Sequence, residues 1–148
     1  MPESASLKET LRRAIELHGE GNLTGALGGY KEVLDADPRQ PDALQLLGVA
    51  KYQLGDTAGA IEQIRQSLEV NPRQFGALQN LGRIYAETEQ PEEAIRCFQQ
   101  ALDIQPEDAI THRSLAHVLV QASRDREALD HYDQGLNLNP DCAESRLN

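Results

Sequence analysis

Histidine is the residue of this chain best suited to metal binding or proton transfer, and the sequence has four, His18, His112, His117 and His131. Two helical ligands of one metal stand three or four residues apart, because those positions share a face. His112 and His117 are separated by about 140° around a helix axis. We therefore expect structural or surface roles for all four, with no metal site.

Other sequence motifs of catalysis or cofactor binding are absent or incomplete. No HExxH, GxSxG or calcium-loop pattern occurs. The glycines between residues 19 and 29 resemble a phosphate-binding loop, but no Lys-Ser or Lys-Thr follows them. Cys97 and Cys142 have no CxxC or CxxH beside them, so zinc and redox roles are not indicated. The expectation is a protein without catalytic residues or cofactor that is not an enzyme.

Net charge and hydrophobicity limit the classes of partner and the cellular location that we expect. The 148 residues carry a formal net charge of −10, which argues against nucleic acid or an anionic membrane as the bulk partner. No window approaches the roughly 18 apolar residues of a membrane-spanning helix. Residues 1–6 lack a basic start and no apolar stretch follows, so no secretory signal is indicated. The predicted location is the cytoplasm.

The elements that position these residues follow from an internal repeat. Four prolines, Pro38, Pro72, Pro106 and Pro140, are each separated by 34 residues. Three further columns keep this period: an alanine twelve residues before each proline, a large apolar residue eight before it, and a leucine four before it. The alanines and the small residues of the preceding helix, Gly48 and Gly82 among them, are predicted to let paired helices approach closely. Periods of this length are typical of stacked helical hairpins.

Apolar spacing divides each repeat into two amphipathic helices. The predicted repeats are 7–40, 41–74, 75–108 and 109–142, with turns at Gly21-Asn22, Gly55-Asp56, Gln90-Pro91 and 123–125. Residues 1–6 are predicted to be a tail and helix cap, with a capping box formed by Ser6 and Glu9. Residues 143–148 are predicted to start an incomplete further helix.

The third repeat carries Leu78, Leu81-Gly82, Tyr85, Ala94, Phe98 and Pro106, and this pattern resembles the tetratricopeptide repeat. The resemblance covers 7–142 and implies an all-α, right-handed solenoid of four helix-turn-helix hairpins that serves as a protein-binding scaffold. The stretch DALQLLGVAKYQLGD is similar to those of bacterial repeat arrays that precede sugar-transfer domains, as in relatives of O-linked N-acetylglucosamine transferase.

A stack of hairpins leaves the inner face of its first helices as a concave groove, which binds a partner polypeptide. First helices hold six bases against five acids, whereas second helices hold four against eleven. We therefore expect an acidic partner segment, anchored by Arg83 and Arg113. The predicted groove residues are Lys8, Leu11, Arg12, Ile15, Gln45, Val49, Tyr52, Gln79, Asn80, Arg83, Arg113, His117 and Val120.

Several alternatives stay open. Leu11, Ile15 and Leu46 occupy inner positions where chaperone-binding domains of the family carry clamp residues, so a chaperone clamp is disfavoured. The chain is alternatively the substrate-recruiting region of a larger transferase, or a self-assembling array. An apolar patch is predicted around Tyr132 and Leu136, covered by further repeats or by a second copy in a homodimer through the C-terminal end.

Overall fold

The computed structural model describes the backbone of residues 2–138 and the side chains of residues 6–138. That part of the chain folds into helices without strands, which confirms the predicted all-α fold of helical hairpins. The helices are α1 (Pro2–Gly19), α2 (Leu23–Ala36), α3 (Pro41–Gln53), α4 (Thr57–Val70), α5 (Phe75–Glu87), α6 (Pro91–Ile104), α7 (Ala109–Gln121) and α8 (Asp125–Leu138).

The chain divides into two compact units, and each holds two hairpins. Unit 1 is Met1–Pro72 and contains α1–α2 and α3–α4; unit 2 is Arg73–Asn148 and contains α5–α6 and α7–α8. Within unit 1, α2 also packs on α3, and within unit 2, α6 packs on α7. Each unit is therefore a small stack in which a second helix lies against the first helix of the next hairpin.

The predicted tail and capping box are wrong. Residues 2–6 already belong to α1, which begins at Pro2. Ser6 consequently lies inside the helix, where its carbonyl oxygen accepts a hydrogen bond from Thr10 Oγ1 at 3.0 Å, while Glu9 pairs with Arg12. Cys142 and the predicted helix start at 143–148 lie outside the described residues.

The turn of each hairpin contains one residue with a left-handed backbone, at the same position of the repeat. These residues are Gly21, Gly55, Glu89 and Ser123, with φ of 84°, 93°, 60° and 60°. Asn22 and Asp56 then cap α2 and α4, since their side chains each accept the amide of the residue three positions later at 3.0 Å. The glycines suit this conformation, because they lack the Cβ that makes it costly.

The alanine column lies in the buried core of the hairpins. Ala26, Ala60 and Ala94 are fully buried and Ala128 is nearly so. On the partner helices, a Cβ added at Gly48 would lie 2.6 Å from Ile64 Cγ1, and one added at Gly82 would lie 2.8 Å from Phe98 Cε1. The predicted close approach at these small residues is confirmed, because any larger side chain would push the helices apart.

Candidate functional site

The predicted groove residues all lie outside the buried core of their units. Lys8, Arg12, Ile15, Arg83, Arg113, His117 and Val120 are exposed, and Leu11, Gln45, Val49, Tyr52, Gln79 and Asn80 are half-buried. None of the thirteen side chains is buried, but six of them are partly covered by their neighbours. Exposure alone does not make a site, so the arrangement of these side chains is described for each unit separately.

In unit 1 the predicted groove residues of α1 make different kinds of contact. Leu11 packs against the core cluster built around Tyr30, and with Lys8 it lines a cavity of ≈ 190 Å³ between α1, α2 and the start of α3. Arg12 is paired with Glu9 and with Glu16 of its own helix. Its charge is thus already shared by two carboxylates, and Arg12 is a weaker anchor than the sequence suggested.

In unit 2 three predicted residues meet in one open pocket of ≈ 440 Å³. Arg83 reaches it from α5, whereas Arg113 and His117 reach it from α7. We call this site the Arg83–Arg113 pocket. Its lining consists of Arg83, Ala86, Glu87, Phe98, Arg113, Ser114, His117, Val118 and Tyr132.

The local fold explains why these side chains converge. Arg83 follows Gly82, which allows α5 to lie against Phe98 of α6, and α7 packs on α6 in turn. Asn80, one turn before Arg83, accepts a hydrogen bond from Arg83 Nη2 at 3.4 Å. The lining of the pocket therefore combines two guanidinium groups with the aromatic side chains of Phe98 and Tyr132.

Gln79 has a structural role that the sequence did not reveal. Its amide nitrogen donates to Thr111 Oγ1 at 2.8 Å and to Asp108 Oδ2 at 3.3 Å. Asp108 also accepts the Thr111 amide at 2.9 Å, as the cap of α7. Gln79 therefore ties α5 to the beginning of α7, which makes it less available to a ligand than the prediction assumed.

Of the nine residues that line the pocket, six are absent from the predicted groove residues, among them Glu87, Phe98 and Tyr132. Glu87 lies four positions after Arg83, hence on the same helical face, and this spacing was the available signal. The sequence placed Phe98 in the repeat pattern and Tyr132 in a predicted apolar patch. The position of a side chain along a second helix does not show whether its ring also lines a pocket. Glu87 matters most, since it places a carboxylate beside the two arginines.

A second arrangement in unit 2 joins α7 to α8 through two histidines. The rings of His112 and His131 stack with centroids 5.3 Å apart, and their Nδ1 atoms are separated by 3.1 Å. His112 Nε2 donates to the carbonyl oxygen of Pro106 at 2.7 Å. The expectation of a structural role fits this geometry, although the pairing itself was not foreseen.

Burial and the neighbouring His112 lower the pKa of His131 below its ordinary value, although Asp130 and Glu127 act in the opposite direction. The folded state therefore binds a proton at His131 less readily than the unfolded chain does. Stability from this group is present above the unfolded pKa of about 6.5 and is lost as pH falls through the lower folded value. We expect the free energy of unfolding to fall between pH 7.5 and 5, and expect His131→Gln to reduce that fall.

The matched control is His117→Gln, the same chemical change at an exposed position of unit 2. The free energy of unfolding of both variants is measured by urea denaturation at a series of pH values. If His131→Gln and His117→Gln show the same pH dependence as the unmodified protein, burial of the histidine pair does not contribute to acid sensitivity.

Within residues 6–138, side chains of histidine, cysteine, aspartate and glutamate form no group of three or more that could hold a metal ion. No helix in the described part of the chain is both long and apolar enough to cross a membrane.

Tandem helical hairpins with a period of 34 residues define an α-helical repeat protein. Two family models, both described as tetratricopeptide repeat, match residues 17–83 and 74–141. The chain belongs to the tetratricopeptide repeat family, as its sequence pattern predicted. Among curated proteins, none matches the sequence.

Solved structures share the fold. A crystal structure of MamA has a TM-score of 0.84 at 18% identity, covering 93% of this chain and 81% of that one. MamA from Desulfovibrio magneticus RS-1 has a TM-score of 0.81 at 22% identity, covering 91% and 76%. PilF of Pseudomonas aeruginosa has a TM-score of 0.86 at 22% identity, covering 95% of this chain and 64% of that one. At these identities the likeness establishes the fold alone.

Proposed function

We propose that this protein is a non-catalytic scaffold whose Arg83–Arg113 pocket binds an acidic segment of a partner polypeptide. The observation that carries the proposal is the meeting of Arg83 and Arg113 in one pocket although they belong to different repeats. A tetratricopeptide fold implies a protein-interaction scaffold, and the pocket provides the chemistry by which such a scaffold selects its partner.

The chemistry of the pocket favours a carboxylate next to an apolar side chain. A guanidinium group donates two parallel hydrogen bonds to a carboxylate, and this pairing is stronger than one between neutral groups. Phe98, Val118 and Tyr132 offer apolar contact in the wall. Glu87 would repel an uninterrupted acidic run, so a segment in which acidic and apolar residues alternate fits better.

Charge reversal tests this proposal with a defined probe. The probe is a fluorescein-labelled heptapeptide of alternating leucine and aspartate, compared with its leucine and lysine counterpart, and binding is followed by fluorescence anisotropy. Removing a hydrogen bond to a charged group costs about 1.5–3 kcal/mol, so Arg83→Glu and Arg113→Glu are each expected to weaken binding about 10- to 150-fold.

Arg96→Glu and Arg126→Glu provide the matched control, because both arginines are exposed on second helices of unit 2. They change the net charge equally and lie outside the pocket lining. The pocket is not the site if the control pair weakens binding as much as the pocket pair does, or if the lysine peptide binds as tightly as the aspartate peptide.

Recruitment of substrates for a larger transferase and self-assembly of the array stay alternative predictions, as does a cytoplasmic location. The predicted groove residues of unit 1, among them Ile15, Gln45, Val49 and Tyr52, are proposed as contacts for a partner polypeptide within that unit. Apolar and hydrogen-bonding side chains of this kind are typical of peptide recognition.

A further inference from the structure

The Arg83–Arg113 pocket contains one side chain of a type that changes its charge near neutral pH. His117 lies on α7 four residues after Arg113, so the two side chains share a face of that helix. His117 is exposed, and it lines the pocket together with both arginines. Histidine is the residue type that gains or loses its proton between about pH 5 and 8. The proposed peptide site therefore includes a titratable group.

The other charged and titratable groups of the lining come from three helices. Arg83 and Glu87 reach the pocket from α5, Arg113 from α7 and Tyr132 from α8, while α6 provides a phenylalanine. Arginine, glutamate and tyrosine are residue types that ordinarily titrate outside the range of pH 6–8. With a neutral histidine, two arginines against one glutamate give the lining a formal charge of +1, and protonation of the histidine raises it to +2.

We propose that His117 makes the binding of an acidic segment pH-dependent, with an affinity that rises as pH falls from 8 to 6. This inference rests on the proposed function of the pocket. A protonated imidazole adds a positive charge next to the carboxylates of the ligand, and opposite charges across an interface favour association. Because linkage between two bound species is reciprocal, a bound carboxylate also favours the protonated form of His117.

The direction of the effect distinguishes His117 from the carboxylates of the ligand. An aspartate side chain ordinarily takes up its proton near pH 4, and the loss of its charge weakens binding as pH falls. The two effects therefore have opposite signs, and the ligand effect lies below the range of pH 6–8. Another histidine of unit 2, His131, is half-buried and does not line the pocket, so its protonation supplies no charge to the ligand there.

The experiment uses the full chain and the labelled peptide of alternating leucine and aspartate, with anisotropy titrations at pH 8, 7 and 6 and constant ionic strength. We expect the unmodified chain to bind about two- to fivefold more tightly at pH 6 than at pH 8, the contribution of an exposed ion pair. In His117→Gln the two affinities should differ by less than about 1.5-fold. His117→Lys keeps a positive charge throughout and should bind tightly at both pH values.

His131→Gln is the matched control, because it makes the same replacement on the neighbouring helix outside the lining. It should keep the pH response of the unmodified chain, and circular dichroism at each pH shows that every variant is folded. Calorimetry in two buffers of different ionisation enthalpy should detect proton uptake on binding near pH 6.5, and this uptake should be absent in His117→Gln.

The inference is refuted if the unmodified chain shows no pH response, if the response persists in His117→Gln, or if it disappears in His131→Gln. Binding that depends on Arg83 and Arg113 but not on pH would refute this inference alone and leave the proposed function intact. Binding that Arg83→Glu and Arg113→Glu do not weaken would refute the proposed function, and the inference with it.

Discussion

Replacing Tyr30 by alanine is expected to lower the free energy of unfolding by about 3–5 kcal/mol, the usual cost of removing a buried aromatic side chain. Tyr30 is fully buried and stands at the centre of a cluster with Ala14, Ala26 and Leu47. Its helix, α2, contains three glycines, each of which disfavours helix by roughly 0.5–1 kcal/mol relative to alanine. The first hairpin therefore depends strongly on this one side chain.

Tyr30→Phe removes the hydroxyl and keeps the ring, so it measures the contribution of the hydroxyl to stability alone. The hydroxyl lies 2.9 Å from His18 Nδ1, and His18 Nε2 lies 2.6 Å from Gln53 Oε1 of α3. Losing one such hydrogen bond costs about 0.5–1.5 kcal/mol, so the phenylalanine variant should retain most of the stability. Burial also raises the pKa of Tyr30 to about 12, so its absorbance should titrate later than that of an exposed tyrosine.

Urea unfolding followed by circular dichroism measures both variants. A loss of less than about 1 kcal/mol for Tyr30→Ala would mean that unit 1 is not organised around this residue. Equal losses for the two variants would mean that the hydrogen bond, and not the packed ring, holds the hairpin.

Leu115→Ala is the second large effect, with an expected loss of about 2–5 kcal/mol in the free energy of unfolding. Leu115 is fully buried on α7, and Leu119 one turn later is buried to the same degree. Shortening the side chain removes apolar surface and leaves a cavity that rigid neighbouring helices cannot fill.

Leu129→Ala is the matched control, because the same substitution is made in the same repeat on an exposed residue. Its expected cost is below about 0.5 kcal/mol in the protein alone. Comparable losses at Leu115 and Leu129 would contradict the burial described for α7 and α8. A loss at Leu129 that grows with protein concentration would indicate that a second copy of the chain covers Leu129.

The amino-acid sequence by itself determined the helices and the core. The helices α3, α5 and α7 begin at Pro41, Phe75 and Ala109, which are the first residues of the last three predicted repeats. The same period identified Ala94 and Gly82 as positions of close contact. Helix formation and burial of one face depend on residues three and four positions apart, so a single sequence contains this information.

The start of α1 was predicted five residues late for a local reason. Ser6 and Glu9 have the spacing of a capping box, but such a motif marks the start of a helix only if the preceding residues are not helical. Residues 2–6 do not leave it. A pattern of two side chains cannot decide this competition between cap and continued helix.

Only the tertiary structure decided which surface residues work together. Glu89 and Ser123 take a left-handed backbone because the packing of their hairpins requires the same turn that Gly21 and Gly55 form without strain. Gln79 was predicted to face a ligand, yet it bonds to Thr111, 32 residues away. The pairing of His112 with His131 and the presence of Glu87, Phe98 and Tyr132 beside two arginines likewise join separate helices. Periodicity shows the direction of a side chain around its own helix, but distances between helices arise only when the hairpins pack.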